Sequence, residues 1–97
     1  MIKTYVENLK GTKGLSIPFL NYPRDSAFHL FPILLDKDVD REKFMGFLKR
    51  EKIQTSIHYP PIHKFSYYQK TFRVGRNKLP LTEYVGKHEV SLPLHPL

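Results

Sequence analysis

The sequence contains no cysteine, only five glycines among its 97 residues, and no long apolar run. Without cysteine, the chain has no disulfide, no catalytic thiolate and no cysteine-based zinc site. The glycines are too sparse for a glycine-rich phosphate loop, and no serine stands in a nucleophile-elbow pattern. The N-terminus lacks the apolar segment of a signal peptide, and nothing approaches the roughly 20 residues of a membrane span. We therefore expect a single cytoplasmic domain over residues 1–97, with no membrane partner.

The net positive charge of the chain is concentrated in its middle. Between Arg41 and Lys78, ten Lys/Arg residues face only Glu42 and Glu51, which gives +8; elsewhere six basic and seven acidic residues give −1. Such a segment predicts an anionic partner: a phosphate-bearing small molecule, a nucleic acid or an acidic protein face. The alternative is a solvated surface that keeps the chain soluble.

Hydrophobic periodicity and turn residues predict an alternation of helices and strands. Asp40 is a good N-cap for a helix whose buried side carries Phe44, Phe47 and Leu48. Pro32, inside the most apolar strand, indicates an edge position or a bulge. The predicted order is helix 2–9, edge strand 15–17, turn 21–26, core strand 28–35, helix 40–51, strand 53–58, short helix 66–72 capped by Ser66, helix 82–89 and extended segment 90–96.

This order of elements predicts the α+β class, with a small sheet of about three strands and helices packed on one face. The other face of the sheet is expected to be open. An open apolar face on a small domain is typical of a protein that lacks a partner.

Residues 53–68 hold the densest group of chemically versatile side chains: two histidines, three tyrosines and a lysine. Apolar and polar residues alternate over 53–58, as in a half-buried strand, and Pro60–Pro61 ends the strand because proline cannot donate to a sheet. The segment therefore predicts a stiff polar loop that presents side chains to a ligand. The alternative is a loop whose histidines are merely solvated.

Two kinds of site compete for these side chains. His58 and His63 are five residues apart across two prolines, which matches no zinc spacing, so we expect no metal. Nucleic-acid or polyanion binding is the alternative function. It is suggested by cations interleaved with rings, but Phe65, Tyr68 and Phe72 have helical spacing and are expected to pack on the core, so we expect no nucleic-acid partner. The interleaved residues are Lys64, Phe65, Tyr67, Tyr68, Lys70, Phe72, Arg73 and Arg76.

The order of short motifs resembles one enzyme family over nearly the whole chain, from about Tyr5 to Pro96. The most specific motifs are Ile57-His-Tyr-Pro-Pro61 and Ser91-Leu-Pro-Leu-His-Pro96; Ser26-Ala-Phe-His-Leu-Phe-Pro-Ile-Leu-Leu35, Asp40-Arg41 and Leu79-Pro-Leu-Thr-Glu83 complete the set. Together they resemble the C-terminal small domain of the DegT-type (DegT/DnrJ/StrS) sugar aminotransferases. The resemblance implies a pyridoxal-phosphate-dependent enzyme, a homodimer when intact, that acts on nucleotide-linked keto sugars for surface polysaccharide or antibiotic biosynthesis.

The resemblance also implies what this chain lacks. In the family the Schiff-base lysine, the partner of the pyridine nitrogen and the phosphate cradle lie in a large N-terminal domain, and a further helix follows the last motif. We therefore expect a C-terminal fragment with no catalytic residue and no bound cofactor of its own, inactive alone. Lys52 stands where the family usually has glycine; if the backbone there is left-handed, lysine costs on the order of 1 kcal/mol.

The resemblance places the segment at His58 and Tyr59 near the substrate cleft of the intact enzymes. It therefore implies four substrate-binding candidates: His58 first, then Tyr59 and His63, and finally Lys64 for diphosphate charge. A histidine can donate to a phosphate, and a tyrosine hydroxyl can contact sugar oxygens. The alternatives are structural: His58 could fix the proline loop, and Tyr59 and Tyr68 could pack. The histidines at positions 29, 88 and 95 are expected to be structural or exposed.

Overall fold

The computed structural model describes residues 2–21, 29–72 and 79–94. Four α-helices and three strands follow one another in the order α1 (Ile2–Leu9), β1 (Leu15–Ser16), β2 (Phe31–Leu35), α2 (Arg41–Arg50), α3 (Ser66–Phe72), α4 (Pro80–His88) and β3 (Glu89–Leu92). A single 3₁₀ turn over Ile62–Lys64 precedes α3. The predicted turn at 21–26 lies, apart from its first residue, outside the described part of the chain.

The three strands form one antiparallel sheet in the order β1-β2-β3. Pro32 lies opposite Ser91, and Ile33 lies opposite Val90. Four apolar side chains are buried among the described residues, all on β2 and β3: Phe31, Ile33, Leu35 and Val90. Helices α1 and α2 cover this core with partly buried residues such as Tyr5, Val6, Phe44 and Met45. The α+β prediction is confirmed.

Pro32 lies in the middle strand of the sheet, so the predicted edge position of that strand is wrong. The strand tolerates proline because β1 is short: it pairs only with Leu34 and Leu35. Pro32 is therefore flanked by a paired strand on one side alone, and its missing N–H leaves no gap in a ladder.

The predicted strand at 53–58 is also wrong, because only Ser56 pairs with the sheet. Ser56 and Ser91 exchange both backbone hydrogen bonds, at 2.8 and 3.2 Å. The ladder stops on one side because Pro93 has no N–H to donate. It stops on the other because the N–H of His58 donates to the side-chain carboxylate of Glu89, at 3.0 Å, rather than to a backbone carbonyl.

Helix α2 has the predicted N-cap and a well-defined C-terminus. The carboxylate of Asp40 accepts from the N–H of Lys43 at 3.1 Å. At the other end, the backbone N–H of Lys52 donates to the carbonyl of Lys49, and the backbone N–H of Ile53 donates to the carbonyl of Leu48. These are the two hydrogen bonds of a Schellman motif. Lys52 has a φ of 65°, so the backbone there is left-handed and the condition under which lysine is unfavourable is met.

Three other details differ from prediction. Phe47 is 53% exposed rather than buried, and α4 begins at Pro80 with no side-chain cap rather than near Thr82. Proline is favoured at a first helical position, where the lost N–H has no partner in any case. Phe65 and Tyr68, expected in the core, are 45% and 38% exposed. The reason is that α3 packs mainly on the 3₁₀ turn before it.

Candidate functional site

The site is built where the chain leaves the sheet edge after Ser56. The single backbone bridge to Ser91 fixes Ser56, and two residues later the side chain of His58 lies on the same side of the chain. Glu89 and Ser91 are two residues apart on β3, so they share the face opposite Val90. The local pairing therefore brings His58, Glu89 and Ser91 together.

Hydrogen bonds join these three residues into one network. Nδ1 of His58 lies 2.9 Å from Oγ of Ser91, and that hydroxyl donates to Oε1 of Glu89 at 2.5 Å. The backbone N–H of His58 donates to the other oxygen of the carboxylate, Oε2, at 3.0 Å. Oγ of Ser56 is a more distant neighbour of Nδ1, at 3.4 Å. Glu89 and Ser91 are only 5% and 3% exposed, so the network fixes His58 from inside the fold.

The residue types match a hydrolytic triad, but their connection does not. In a triad the histidine takes the proton of the serine and the carboxylate orients the histidine. Here the serine lies between the other two, and its hydroxyl donates a hydrogen bond to Glu89. Because Ser91 is also buried, its hydroxyl cannot reach a substrate. The arrangement positions an imidazole and does not activate a nucleophile.

Tyr59 extends the site outward. Its ring meets that of His58 edge to face, with centroids 4.8 Å apart, yet it is 70% exposed, so the packing alternative is wrong for Tyr59. It forms one wall of an open, mostly apolar cavity of about 520 Å³. The other lining residues are Pro60, Pro61, Ile62, His63, Tyr68, Leu79 and Thr82.

His63 and Lys64 have a different partner. Nε2 of His63 lies 3.2 Å from Oε1 of Glu83 on α4, and Nζ of Lys64 lies 3.9 Å from the same oxygen. The four candidates predicted from the sequence thus divide into two pairs: His58 with Tyr59, and His63 with Lys64. Within the described residues, no hydrogen bond joins the two pairs.

Arg41 has a positional role that sequence reasoning missed. Its Nη1 donates to the backbone carbonyls of Gly86 and Glu89, at 2.6 and 3.3 Å. It therefore ties the start of α2 to the end of α4 and holds the residue that begins β3. The sequence does contain an indication of this role. A cation in the first turn of a helix interacts unfavourably with the helix dipole, so a partner elsewhere in the fold is expected.

Glu89 and Ser91 were also missed as site residues. The sequence gives only a weak indication of their role. They are two polar residues at strand spacing on either side of Val90, and this pattern normally indicates a solvated face of a strand. Of the remaining histidines, His88 stacks on the ring of Tyr84 with centroids 4.1 Å apart, and its Nδ1 donates to the backbone carbonyl of Tyr84 at 2.7 Å. His29 is exposed. His95 lies outside the described residues.

The described residues do not fit a pyridoxal-type aldehyde cofactor. Such a cofactor requires a lysine in a shaped pocket and a group that tunes the ring nitrogen. Every lysine in residues 2–21, 29–72 and 79–94 is exposed. Over the same ranges, no three His, Asp or Glu side chains gather to hold a metal ion. No helix in the described part of the chain is long and apolar enough to cross a membrane.

Known proteins resemble this chain over most of its length, and one family model matches all of it. The family model for the DegT/DnrJ/EryC1/StrS aminotransferases matches residues 1–97. The spore coat polysaccharide biosynthesis protein SpsC of Bacillus subtilis is 36% identical over 87 residues, which are 86% of this chain and 22% of SpsC. The dTDP-3-amino-3,6-dideoxy-alpha-D-galactopyranose transaminase of Aneurinibacillus thermoaerophilus is 31% identical over 96 residues, 96% of this chain and 24% of the transaminase.

A solved structure has the same fold in one of its parts. DesV from S. venezuelae superimposes with a TM-score of 0.83 at 27% identity, over 95% of this chain and 24% of DesV. The chain thus spans about a quarter of the length of the proteins it matches.

Proposed function

Because the chain belongs to the DegT/DnrJ/EryC1/StrS aminotransferase family, we propose that it forms the small domain of an aminotransferase that acts on nucleotide-linked keto sugars. The match over residues 1–97 carries this proposal. The names of the relatives point to sugars: one is a spore coat polysaccharide protein and the other a transaminase named for a dTDP-linked amino sugar.

The cofactor of the proposed enzyme is pyridoxal phosphate, which supplies an electron sink for amino transfer when bound. The described residues do not supply its lysine, so we place the cofactor site in the large domain. The proposed partners are that large domain, a second subunit in a homodimer and the nucleotide sugar. The proposed location is the cytoplasm.

Within this proposal, His58 and Tyr59 are the main substrate contacts. His58 is held rigidly by two buried residues, Glu89 and Ser91, and the ring of Tyr59 is exposed beside it. A fixed imidazole next to an exposed phenol can bind and orient a polar, ring-shaped ligand. No proton transfer is assigned to either residue.

His63 and Lys64 have a secondary part in the proposal. Both lie against the carboxylate of Glu83, and this negative charge reduces the attraction of the pair for a diphosphate. They remain candidates for phosphate contact only if the ligand displaces Glu83.

A domain exchange tests the proposal. We suggest replacing the segment of SpsC that matches this chain with residues 1–97 and measuring amino transfer to a nucleotide-linked keto sugar. The expected result is a folded, active chimera. His58→Ala in the chimera is expected to raise KM about tenfold, while Lys87→Ala, an exposed change on α4, serves as the matched control. A folded chimera that holds pyridoxal phosphate and transfers no amino group would overturn the proposal.

A further inference from the structure

We propose that Glu89 and Ser91 are positioning residues that hold neutral His58 as the Nδ1-protonated tautomer. Nε2 then presents a lone pair and accepts a hydrogen bond from a bound molecule. The contacting group of that molecule is therefore a donor, such as a hydroxyl or an amine, and not a phosphate oxygen. The identity of that molecule as a nucleotide sugar rests on the proposed function, whereas the tautomer does not.

Glu89 is the acceptor at one end of this network. An ionised carboxylate only accepts hydrogen bonds. Oε2 accepts from the backbone N–H of His58, a donor that cannot be reversed. Oε1, on the same carboxylate, lies against the hydroxyl of Ser91. Because a serine hydroxyl has a single proton, the carboxylate directs that proton toward itself.

Ser91 links Glu89 to His58. Because its hydroxyl hydrogen points to Glu89, only the lone pairs of its oxygen are available to His58. Nδ1 of His58 lies 2.9 Å away, so a hydrogen bond between the two requires the proton to be on Nδ1. Ser56, at 3.4 Å, can adapt to either arrangement because its hydroxyl is exposed and free to rotate.

The consequence lies at the other ring nitrogen. A neutral imidazole carries one N–H, so Nε2 must be the acceptor. No hydrogen bond within the described residues involves Nε2. A phosphate oxygen is itself an acceptor and would meet this lone pair unfavourably, whereas a sugar hydroxyl or an amino group can donate to it. The network therefore selects the kind of group that His58 contacts.

The tautomer can be measured directly. Long-range ¹H–¹⁵N NMR of the ¹⁵N-labelled chain at about pH 8.5, well above the ordinary histidine pKa of ~6.5, distinguishes the two ring nitrogens. The expected result is a protonated, pyrrole-like Nδ1 and an unprotonated, pyridine-like Nε2. His58→Gln identifies the His58 signals by their loss. A proton on Nε2 in the wild-type chain would refute the proposal.

Glu89→Gln provides a sharper test, because it should reverse the relay. The amide oxygen must accept the N–H of His58, which turns the amide NH₂ toward Ser91. The serine hydroxyl then donates to Nδ1, and the ring proton moves to Nε2. Ser91→Ala should give a mixture of both tautomers, and Glu83→Gln, which contacts His63 instead, should leave His58 unchanged. If Glu89→Gln does not fold, the wild-type chain and Ser91→Ala still decide the matter.

The ligand class is tested in the SpsC chimera. His58→Ala should weaken binding of the nucleotide sugar about tenfold and leave binding of the nucleoside diphosphate alone unchanged. Equal losses for both ligands would show a phosphate contact and contradict the inference. A chimera without amino transfer would count against the proposed function only, because the NMR result on the chain does not depend on it.

Discussion

At the scale of single residues, Lys52 shows how a local conformation can outweigh a residue's preference. Its φ of 65° lies in the left-handed region, which a residue with a Cβ adopts at a cost of roughly 1–2 kcal/mol. The conformation persists because two Schellman hydrogen bonds end α2 there and direct the chain toward Ser56.

Replacing this residue with glycine is therefore expected to stabilise the fold. Lys52→Gly should raise the free energy of unfolding by about 0.5–1 kcal/mol, because the relief of strain exceeds the extra freedom of the unfolded chain. Urea denaturation followed by circular dichroism measures the change. Lys49→Gly, in the last turn of the same helix, is the matched control and should lower stability by about 1 kcal/mol. A loss at both positions would refute the argument.

At the scale of elements, Arg41 joins two helices that are far apart in sequence. The bonds from its guanidinium to Gly86 and Glu89 satisfy carbonyls that the end of α4 leaves without helical partners. They also fix where β3 begins, so the network of Glu89 and Ser91 depends indirectly on α2.

Removing this link should cost stability without changing the helix itself. Arg41→Met keeps the aliphatic part of the side chain and is expected to lower the free energy of unfolding by about 2 kcal/mol, as for a charge-assisted hydrogen bond. Chemical denaturation provides the measurement. Lys43→Met, exposed on the same helix turn, should change it by less than about 0.5 kcal/mol. Similar values for the two variants would mean that the link contributes nothing.

Helix α1 is fastened to the sheet by Tyr5. Its ring stacks on Phe31 with centroids 4.7 Å apart, and its hydroxyl donates to the carbonyl of Pro93 at 2.5 Å. Burial of the hydroxyl raises the pKa of Tyr5 above its ordinary value of 10.0. The folded state therefore holds this proton more tightly than the unfolded state does.

This shift predicts a loss of stability at high pH. Below pH 10 the tyrosine is neutral in both states, and its contribution is fully present. As the pH rises from 10 toward the raised pKa, the unfolded state loses the proton first and stability falls. Tyr5→Phe should be less stable at pH 7, having lost the hydrogen bond, but should decline less between pH 9.5 and 11. Parallel declines in thermal denaturation would contradict this assignment.

At the scale of the whole molecule, the described part of the chain buries few apolar side chains and exposes many. Its buried core consists of Phe31, Ile33, Leu35 and Val90. Large apolar side chains on the segments around α3 and the start of α4 are exposed, including Tyr59, Ile62, Phe65, Tyr67 and Leu81. This surface lies on the helices and turns and not on the sheet: on the sheet face that was expected to be open, Glu89 and Ser91 are buried. We expect the rest of the proposed enzyme to cover part of the exposed apolar surface.

The chain by itself is expected not to form a covalent link with pyridoxal phosphate at a defined lysine. The lysines of the described residues are all exposed, so we expect them to react only sparsely and at many positions. Borohydride reduction followed by mass spectrometry should find scattered substoichiometric adducts. A single stoichiometric adduct, abolished by mutating one lysine, would overturn this expectation. The SpsC chimera is the positive control.

Local patterns in the sequence were enough to predict the helices and the family. The apolar stripe of α1, the Asp40 cap and the left-handed position of Lys52 depend on residues within a few positions of one another, and so does each short family motif. Such patterns are visible in a linear sequence because helix turns and caps bring together residues three to five apart.

The contacts that hold the site became visible only in the packed fold. The sequence predicted His58 as a site residue. It could not show that the carboxylate of Glu89, 31 residues away, accepts the backbone N–H of His58 and so ends the strand predicted for 53–58. Nor could it pair His63 with Glu83 or join Arg41 to the end of α4. These contacts depend on strand register and helix placement, which the packing of the whole core sets and which no local pattern encodes.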